Sequence, residues 1–205
     1  MVSTPASIRA QVEALAKVEP AFADLVARHG LPEPRSSAPG AHSLLRTIVG
    51  QQVSVAAARS MWAKLEAGFG TPPDLSAILA ASDEQLRAAG LSRQKAGYAR
   101  SLAQLILSGE LDLTKLPADD EEAIALLTRI KGIGRWSAEI YLLFAEGRDD
   151  VWPAGDLAVQ VEIGRLLGLP DRPVEKHLRE IAEAWRPHRG AAAILAWHSY
   201  NSAVL

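Results

Sequence analysis

The fold is decided by the stretch Leu127-Thr128-Arg129-Ile130-Lys131-Gly132-Ile133-Gly134-Arg135-Trp136-Ser137-Ala138-Glu139. An apolar helical segment ends in Gly132-Ile133-Gly134, and a second helical segment begins immediately after it. Two glycines around one apolar residue favour a tight hairpin whose backbone can closely approach a ligand. The first N–H groups of the second helix have no intrahelical acceptor and can therefore bind a phosphate. The flanking cations Arg129, Lys131 and Arg135 would add electrostatic attraction for that phosphate. The stretch therefore predicts two helices joined by a DNA-binding hairpin, or else an ordinary turn between packed helices.

Helical periodicity continues through almost the whole chain. Apolar residues recur at three- and four-residue steps, for example in the segment 178–185, and alanine is abundant. Sustained strand-like alternation is hard to find. We therefore predict an all-α protein of about ten helices with no β-domain. The polar segment 111–120 predicts a boundary, which gives a central helical lobe of residues 41–116, a discontinuous lobe of residues 1–40 plus 117–205 that contains the hairpin, and a cleft between the two lobes.

The composition excludes several classes of protein. The chain has 205 residues, 48% of them hydrophobic and 22% charged, which is typical of a globular protein rather than a disordered one. It has no cysteine, which excludes disulfides, zinc ribbons, cysteine-ligated iron–sulfur clusters and a thiol nucleophile. The longest apolar runs fall far short of the roughly 18 residues that a membrane span needs, and residues 1–9 lack the pattern of a secretory signal. We expect a cytoplasmic protein.

Charge is segregated along the chain, although the net charge is only −2. Three windows, 35–64, 85–109 and 123–138, hold 11 of the 22 lysines and arginines and none of the 24 acidic residues. The first of these windows begins at Arg35. Such segregation is expected if one basic face of an otherwise acidic body binds a polyanion, and it can also arise by chance.

Residues 130–138 resemble the hairpin of the helix–hairpin–helix DNA glycosylase superfamily, in which a Gly/Pro-rich loop and a catalytic aspartate follow the hairpin. Here that loop is Val151-Trp152-Pro153-Ala154-Gly155-Asp156. The segments 45–58 and 90–98 are similar to two further signatures of the family, in the family's order. The resemblance spans about residues 41–200, and the branch that it indicates is the bacterial 3-methyladenine DNA glycosylase II type, which acts on alkylated bases. Trp185-Arg186-Pro187-His188-Arg189 also matches this branch, where the turn would help to shape the lobe interface, although a helix stop and start explains it better.

Asp156 has a structural interpretation of its own, since an aspartate after Pro-Ala-Gly and before an apolar segment is a good helix N-cap. The resemblance implies catalysis as well. The carboxylate would stabilise the cationic sugar of a flipped nucleotide while the N-glycosidic bond breaks, and would orient or deprotonate water. The implied enzyme is a base-excision-repair hydrolase that leaves an abasic site. Trp136 stands where strand-cutting relatives have a Schiff-base lysine, so the resemblance implies a monofunctional glycosylase without lyase activity.

The resemblance also implies the walls of a base pocket. Trp136 and Trp197 match pocket aromatics of the alkylbase enzymes, whose electron-rich faces suit a cationic base. Ile140 and Leu157 stand where relatives carry aromatic residues, so we expect a less aromatic pocket with a different substrate range. Core packing is the alternative role for both tryptophans.

The implied DNA contacts lie in three turns. Gln51, Gln52 and Val53 would insert into the duplex, with Gln52 filling the gap that the flipped base leaves. A polar turn before the N-cap residue Ser54 is the alternative. The other implied contacts are Ser92, Arg93 and Lys95, which would grip the opposite backbone, and Lys131, Gly132, Ile133, Gly134 and Arg135 of the hairpin.

We expect no catalytic cofactor. By resemblance, the main-chain carbonyls of Thr128, Ile130 and Ile133 would coordinate a structural Na⁺ or K⁺ ion between the hairpin and a phosphate. The five histidines show no metal-ligand spacing. The expected partner is damaged double-stranded DNA of the bacterial nucleoid, bound by a monomer, and no membrane partner is expected.

Three other functions are compatible with parts of the sequence. They are a non-catalytic helix–hairpin–helix DNA-binding protein, a glycosylase for a different damaged base and a helical scaffold unrelated to DNA. A protein that only binds DNA has no need of the Asp156 carboxylate near a polyanion. A scaffold does not explain the three acid-free windows.

Overall fold

The fold is that of a computed structural model, which describes residues 5–33 and 37–204. Arg35, the start of the first basic window, lies outside these residues. The described part of the chain contains twelve α-helices, two 3₁₀ turns and no β-strand, which confirms the predicted all-α class. The α-helices are α1 (Pro5–Val18), α2 (Ala21–His29), α3 (Ala41–Gly50), α4 (Val55–Phe69), α5 (Leu75–Ala80), α6 (Asp83–Ala88), α7 (Arg93–Leu107), α8 (Asp120–Leu127), α9 (Arg135–Phe144), α10 (Leu157–Leu166), α11 (Glu175–Ala182) and α12 (Arg189–Val204), and the 3₁₀ turns are Leu113–Lys115 and Glu183–Trp185.

The chain forms two compact units. Unit 1 comprises Met1–Ser37 and Leu142–Leu205, and unit 2 comprises Ala38–Tyr141. The second boundary therefore falls within α9 and not at residues 116/117, so the hairpin belongs to unit 2 and Asp156 to unit 1. The polar segment 111–120 does not divide the units because it is tied to the rest of unit 2. Leu111 is buried, and the guanidinium of Arg129 donates to the Glu110 carbonyl at 3.2 Å.

The core of unit 2 forms around α7, which packs against α3, α5 and α6. Leu44, Leu45 and Ile48 of α3 are fully buried, as is Leu102 of α7. Three- and four-residue spacing puts such side chains on one helix face. Each burial contributes about 1.5–3 kcal/mol, so the turns that leave these two helices start from a firmly packed base.

The core of unit 1 contains an aromatic cluster beneath the loop that leads to Asp156. The ring of Trp185 lies edge-on to Phe22 and to Trp152, with ring centroids 5.1 and 5.5 Å apart. The indole N–H of Trp152 donates to the Leu178 carbonyl at 3.3 Å. Helix α12 packs against α1, α2 and α10 around this cluster. None of the helices in the described residues is long and apolar enough to cross a membrane.

Candidate active site and nucleic-acid interface

The hairpin joins α8 to α9 within unit 2. Ile130 and Ile133 are buried and anchor it on the core. The N–H of Lys131 donates to the Ser101 hydroxyl of α7 at 3.1 Å, and the N–H of Ile133 donates to the Ile130 carbonyl at 3.0 Å. The turn is therefore fixed both to the core and to a neighbouring helix.

Gly132 is the one hairpin position that only glycine can occupy. Its φ is 85°, a conformation that other residues rarely adopt. A Cβ atom at this position would lie 2.2 Å from the ring of Tyr98. The ring of Tyr98 lies directly on the glycine, so the third signature segment, which contains Tyr98, supports the hairpin.

The hairpin presents backbone donors to solvent. Within the described chain, the N–H groups of Gly132 and Gly134 donate no hydrogen bond, and Gly134 is exposed. The N-terminus of α9 adds partial positive charge at the same place. These are the groups that a phosphate needs, as the sequence predicts.

The carbonyls predicted to hold a monovalent cation are those of Thr128, Ile130 and Ile133. Outside the helices of the described chain, no backbone N–H donates to the carbonyls of Thr128 or Ile133, and that of Ile130 accepts one, from Ile133. Oxygen ligands suit a hard cation, and the Na⁺ or K⁺ ion at these carbonyls stays a prediction. Among the residues described, no cluster of three acidic or histidine side chains could hold a metal ion.

Two of the hairpin's three cations are paired with acids. Arg129 forms an ion pair with Glu110 at 2.9 Å. Arg135 pairs with Glu121 and, at 3.0 Å, with Glu139, which is only 2% exposed. The hydrogen bond that Arg135 donates to Glu121 is the main reason why the pKa of Arg135 is raised. The predicted contact of Arg135 with DNA thus competes with two internal carboxylates.

Lys131 is the remaining cation of the hairpin. It is exposed and forms no ion pair with any described residue. Elsewhere in the acid-free windows, Arg100 pairs with Asp83 at 2.6 Å and Arg46 lies 3.9 Å from Glu66. Windows that are free of acids in sequence are therefore not free of acids in space, because helix packing places outside carboxylates beside them.

The turn predicted to enter DNA has an unusual backbone. Gln52 has a φ of 54°, and it is the one non-glycine residue with a positive φ in the described ranges. Ser54 caps α4 by accepting the N–H of Ala57 at 3.2 Å, as the alternative interpretation of this turn predicts. Gln52 and Val53 are both exposed. A left-handed glutamine costs about 1–2 kcal/mol, and such strain is commonly found at functional turns.

Gln51 and Lys95 have structural partners within unit 2. The Gln51 amide donates to the Gly132 carbonyl at 2.7 Å, which joins the turn predicted to enter DNA to the hairpin. The Lys95 ammonium donates to the Val49 carbonyl at 2.7 Å, near the end of α3. Partial burial lowers the pKa of Lys95. Its position therefore supports helix capping at least as well as the predicted grip on a phosphate.

A polar cavity of about 340 Å³ brings most of the predicted DNA contacts of unit 2 together. Ser92 lies at the N-cap of α7, where its hydroxyl accepts the Lys95 N–H at 3.2 Å. Arg93 is exposed next to it and does not line the cavity. The lining residues are Gln51, Gln52, Val53, Met61, Gly90, Ser92, Gln94, Lys95, Tyr98 and Gly132.

Asp156 is the N-cap of α10, and its carboxylate is held in one orientation. Its Oδ1 atom accepts the N–H of Val159 at 3.0 Å and the indole N–H of Trp197 at 3.0 Å. The Asp156 N–H donates to the Pro153 carbonyl at 2.9 Å. The capping role and a fixed carboxylate thus occur together.

Trp197 also lines an aromatic cavity of about 200 Å³ in unit 1. The ring of Phe144 lies 5.7 Å from that of Trp197, between centroids, on the same cavity. Sequence reasoning missed Phe144, although it follows Ile140 by four positions and so shares its helix face. The lining residues are Pro32, Glu33, Phe144, Ile194, Trp197, His198, Asn201 and Ser202.

The other predicted pocket residues are not all in one unit. Trp136 and Ile140 lie in unit 2, and Leu157 lies in unit 1. Trp136 is 47% exposed, so core packing does not explain it, and it lines a cavity of about 470 Å³ with Gln51 and Gln52. Leu157 is 55% exposed. A site shared by these residues and Asp156 stays a prediction.

The described chain is all-α and has a glycine hairpin followed by the helix-capping Asp156, which are the features on which the resemblance to the glycosylase superfamily rests. The family model described as HhH-GPD superfamily base excision DNA repair protein matches residues 45–187. The chain therefore belongs to this superfamily.

Individual relatives carry more specific names. The chain is 35% identical over 162 residues to DNA-3-methyladenine glycosylase 1 of Schizosaccharomyces pombe, a match covering 75% of this chain and 69% of that protein. It covers 57% and 56% of two bacterial relatives, from Bacillus subtilis and Escherichia coli. The chain thus spans little more than half the length of those two proteins.

Solved structures share the fold over nearly the full chain. A DNA-3-methyladenine glycosidase from Bacillus halodurans aligns with a TM-score of 0.85 at 30% identity, covering 98% of this chain and 92% of that one. The 3-methyladenine DNA glycosylase of Schizosaccharomyces pombe, in complex with abasic DNA, aligns with a TM-score of 0.78 at 29% identity, covering 95% and 97%.

Proposed function

We propose that this protein is a monofunctional DNA glycosylase of base excision repair, which flips an alkylated base and hydrolyses its N-glycosidic bond. The observation that carries the proposal is the Asp156 carboxylate, which is fixed through Oδ1 by Trp197 and by the N-terminus of α10. Names of relatives, such as DNA-3-methyladenine glycosylase 1, support the same substrate class. We propose that the enzyme acts as a monomer on cytoplasmic, nucleoid-associated DNA.

The chemistry needs one carboxylate and one water. As the bond between the sugar C1′ and the base nitrogen breaks, positive charge develops on the sugar, and the Asp156 carboxylate stabilises it electrostatically. A water oxygen then bonds to C1′ and gives up a proton to the carboxylate or to solvent. The base leaves with the bonding electron pair, and an abasic site remains. No metal or organic cofactor takes part in these steps.

The aromatic cavity beside Asp156 favours a cationic base. The faces of Trp197 and Phe144 attract positive charge, and the carboxylate of Glu33 lines the same cavity. An alkylated purine that carries a positive charge is also a good leaving group, so a strong general acid is unnecessary. We expect faster release of N7- or N3-methylated purines than of neutral damaged bases.

Trp136 supports the absence of strand cleavage. An indole cannot form an imine with the sugar aldehyde, which the lyase reaction of bifunctional relatives requires. We propose that Trp136 contributes instead to base binding through its exposed face. Strand breaks should therefore follow base release only after alkali treatment.

DNA binding is assigned to unit 2. We propose that the N–H groups of Gly132 and Gly134, with Lys131, bind a phosphate, and that Gln52 fills the gap left by the flipped base. The strained φ of Gln52 and its exposure support this role. The relative from Schizosaccharomyces pombe, whose structure contains abasic DNA, supports duplex DNA as the partner.

The test is base release from a duplex treated with a methylating agent, with wild type compared with Asp156→Asn. We expect release by the wild type and a rate at least about 100-fold lower in the variant, since removal of one charge-stabilising group typically costs 10²–10³ in rate. The variant must melt like the wild type. Normal release by a folded Asp156→Asn protein would refute the mechanism. DNA binding without release by the wild type would favour either a non-catalytic DNA-binding protein or a different lesion, and a panel of neutral damaged bases separates these two.

A further inference from the structure

Helix α12 holds both ends of the segment that leads to Asp156. At the start of the segment, Asp150 accepts hydrogen bonds from Nε and Nη2 of Arg189 at 2.9 and 3.0 Å, a bidentate pair. At the end, Asp156 accepts the indole N–H of Trp197 at 3.0 Å. Arg189 is the first residue of α12, and Trp197 follows eight residues later, about 12 Å along the helix axis.

The attachment at Arg189 is buried and has several bonds. Arg189 is 8% exposed, and its Nη1 atom also donates to Glu183 at 3.1 Å. The next residue, Gly190, donates its N–H to the Asp149 carbonyl at 2.8 Å. A Cβ atom on Gly190 would lie 2.6 Å from that carbonyl oxygen, so the start of α12 touches the backbone beside Asp150. Separating a buried guanidinium from its carboxylate partner strongly destabilises the folded protein, so we expect Arg189 and Asp150 to stay paired.

The segment between the two attachments is itself stiff. The Trp152 carbonyl accepts the Ala154 N–H at 2.9 Å and the Arg179 guanidinium at 3.2 Å. The Ala154 carbonyl accepts the Gln160 amide at 2.8 Å. Because these bonds hold the backbone of the segment, we expect a displacement at Asp150 to reach Asp156.

We propose that Arg189 and Asp150 are positioning residues of the glycosylase reaction, which set the place of the Asp156 carboxylate relative to α12. The inference rests on the proposed function of Asp156. Positioning matters because a misplacement of about 1 Å at a reacting group can lower a rate by about 100-fold. Arg189 acts through Asp156 and does not itself contact the DNA.

The experiment measures how well the carboxylate is placed, separately from overall DNA binding. Two duplexes are compared, one with a neutral tetrahydrofuran abasic nucleotide and one with a protonated pyrrolidine nucleotide, which mimics the cationic sugar. The ratio of the two affinities measures how strongly a carboxylate next to the nucleotide stabilises its positive charge. We expect Asp156→Asn to remove this preference and Arg189→Met to lower it by about tenfold, with single-turnover base release about 10- to 100-fold slower. Affinity for the duplex with the neutral tetrahydrofuran nucleotide should change less than about twofold.

Arg186→Met is the matched control. Arg186 also binds Asp150, at 2.7 Å, and Glu183, at 2.9 Å, but its side chain is 51% exposed and it does not belong to α12. Removing it takes one cation from the same cluster and leaves the buried attachment intact. We expect nearly wild-type preference and a rate within about threefold, as for an exposed ion pair.

Each outcome decides the inference. A folded Arg189→Met protein with wild-type preference and rate overturns it, and so does an equal loss in Arg186→Met. If Arg189→Met does not fold, Arg189→Lys keeps the charge and loses the bidentate geometry. An intermediate loss of preference then supports the inference, and an unchanged preference overturns it. The proposed function itself is refuted if the wild type releases no methylated base and shows no preference for the duplex with the pyrrolidine nucleotide. If the wild type is active and the Arg189 variants match it in rate and preference, only the positioning role is refuted.

Discussion

Replacing Gly132 with alanine separates a hairpin built for close backbone approach from an ordinary turn. The residue has a φ of 85°, where a side chain costs about 1–2 kcal/mol. The new Cβ would lie 2.2–2.5 Å from three atoms of the Tyr98 ring, so the ring must move. Overpacking of this kind costs about 1–3 kcal/mol. The free energy of unfolding should therefore fall by about 2–5 kcal/mol.

The hairpin contains its own control. Gly134 lies two residues away and has no atom within 4 Å of the place where its Cβ would be, and its φ is not in the left-handed region. We expect Gly132→Ala to lower the melting temperature by about 4–20 °C for a chain of this length, and Gly134→Ala to lower it by no more than about 3 °C. Circular dichroism melting curves measure both shifts.

The pair with Tyr98 provides the decisive comparison. If the ring contact is the cause, Tyr98→Ala should recover part of the loss in a Gly132→Ala background, leaving the conformational cost of about 1–2 kcal/mol. DNA affinity at low salt should fall with Gly132→Ala even at temperatures where the variant is folded. A Gly132→Ala protein that melts and binds DNA like the wild type would show that the hairpin backbone has no special requirement.

Three further outcomes follow from particular contacts. Trp197→Phe removes one hydrogen bond to Asp156 and should slow single-turnover base release by about 5- to 10-fold, equivalent to about 1–1.4 kcal/mol; an unchanged rate means that the bond does not orient the carboxylate. Lys131→Met should reduce the slope of the logarithm of the DNA-binding constant against the logarithm of the salt concentration by about one. Lys95→Met should leave this slope nearly unchanged because Lys95 caps α3. Equal slopes for the two variants contradict this assignment. The pKa of Asp112 is lowered to about 2, mainly by the Thr114 hydroxyl and Lys115. Because this folded pKa lies below the unfolded value, the stabilisation is present above about pH 4 and is lost as the pH falls toward 2, so the acid-induced drop in melting temperature should be smaller in Asp112→Asn.

The features that are predicted well from sequence depend on residues that lie close together along the chain. Three- and four-residue periodicity predicts the helical class because one buried face is a local property of each helix. The caps Ser54 and Asp156 follow from residue type and position, since an N-cap bond spans only three residues. The Gly132-Ile133-Gly134 turn is predicted for the same reason.

The features that sequence reasoning missed depend on tertiary packing. The ion pair of Arg129 with Glu110 spans 19 positions, so an acid-free window in sequence does not predict a free cation. The capping of α3 by Lys95 spans 46 positions. Phe144 was missed because only the fold places it against Trp197. The unit boundary was misplaced because a polar loop and a boundary between units have the same composition.

The two interpretations of Asp156 describe one piece of geometry. A capping aspartate must direct one oxygen at the first turn of its helix, and Oδ1 does so by accepting the Val159 N–H at 3.0 Å. That bond removes most of the rotational freedom of the carboxylate. The Trp197 bond to the same oxygen adds a second fixed direction from α12. A carboxylate that must stabilise a short-lived cation gains from such fixation, since no reorganisation is then required as the charge develops. Replacing Asp156 removes a helix cap and, under the proposed mechanism, also slows catalysis. Affinity for the duplex with the neutral abasic nucleotide, which does not depend on the carboxylate charge, is needed to separate the two effects.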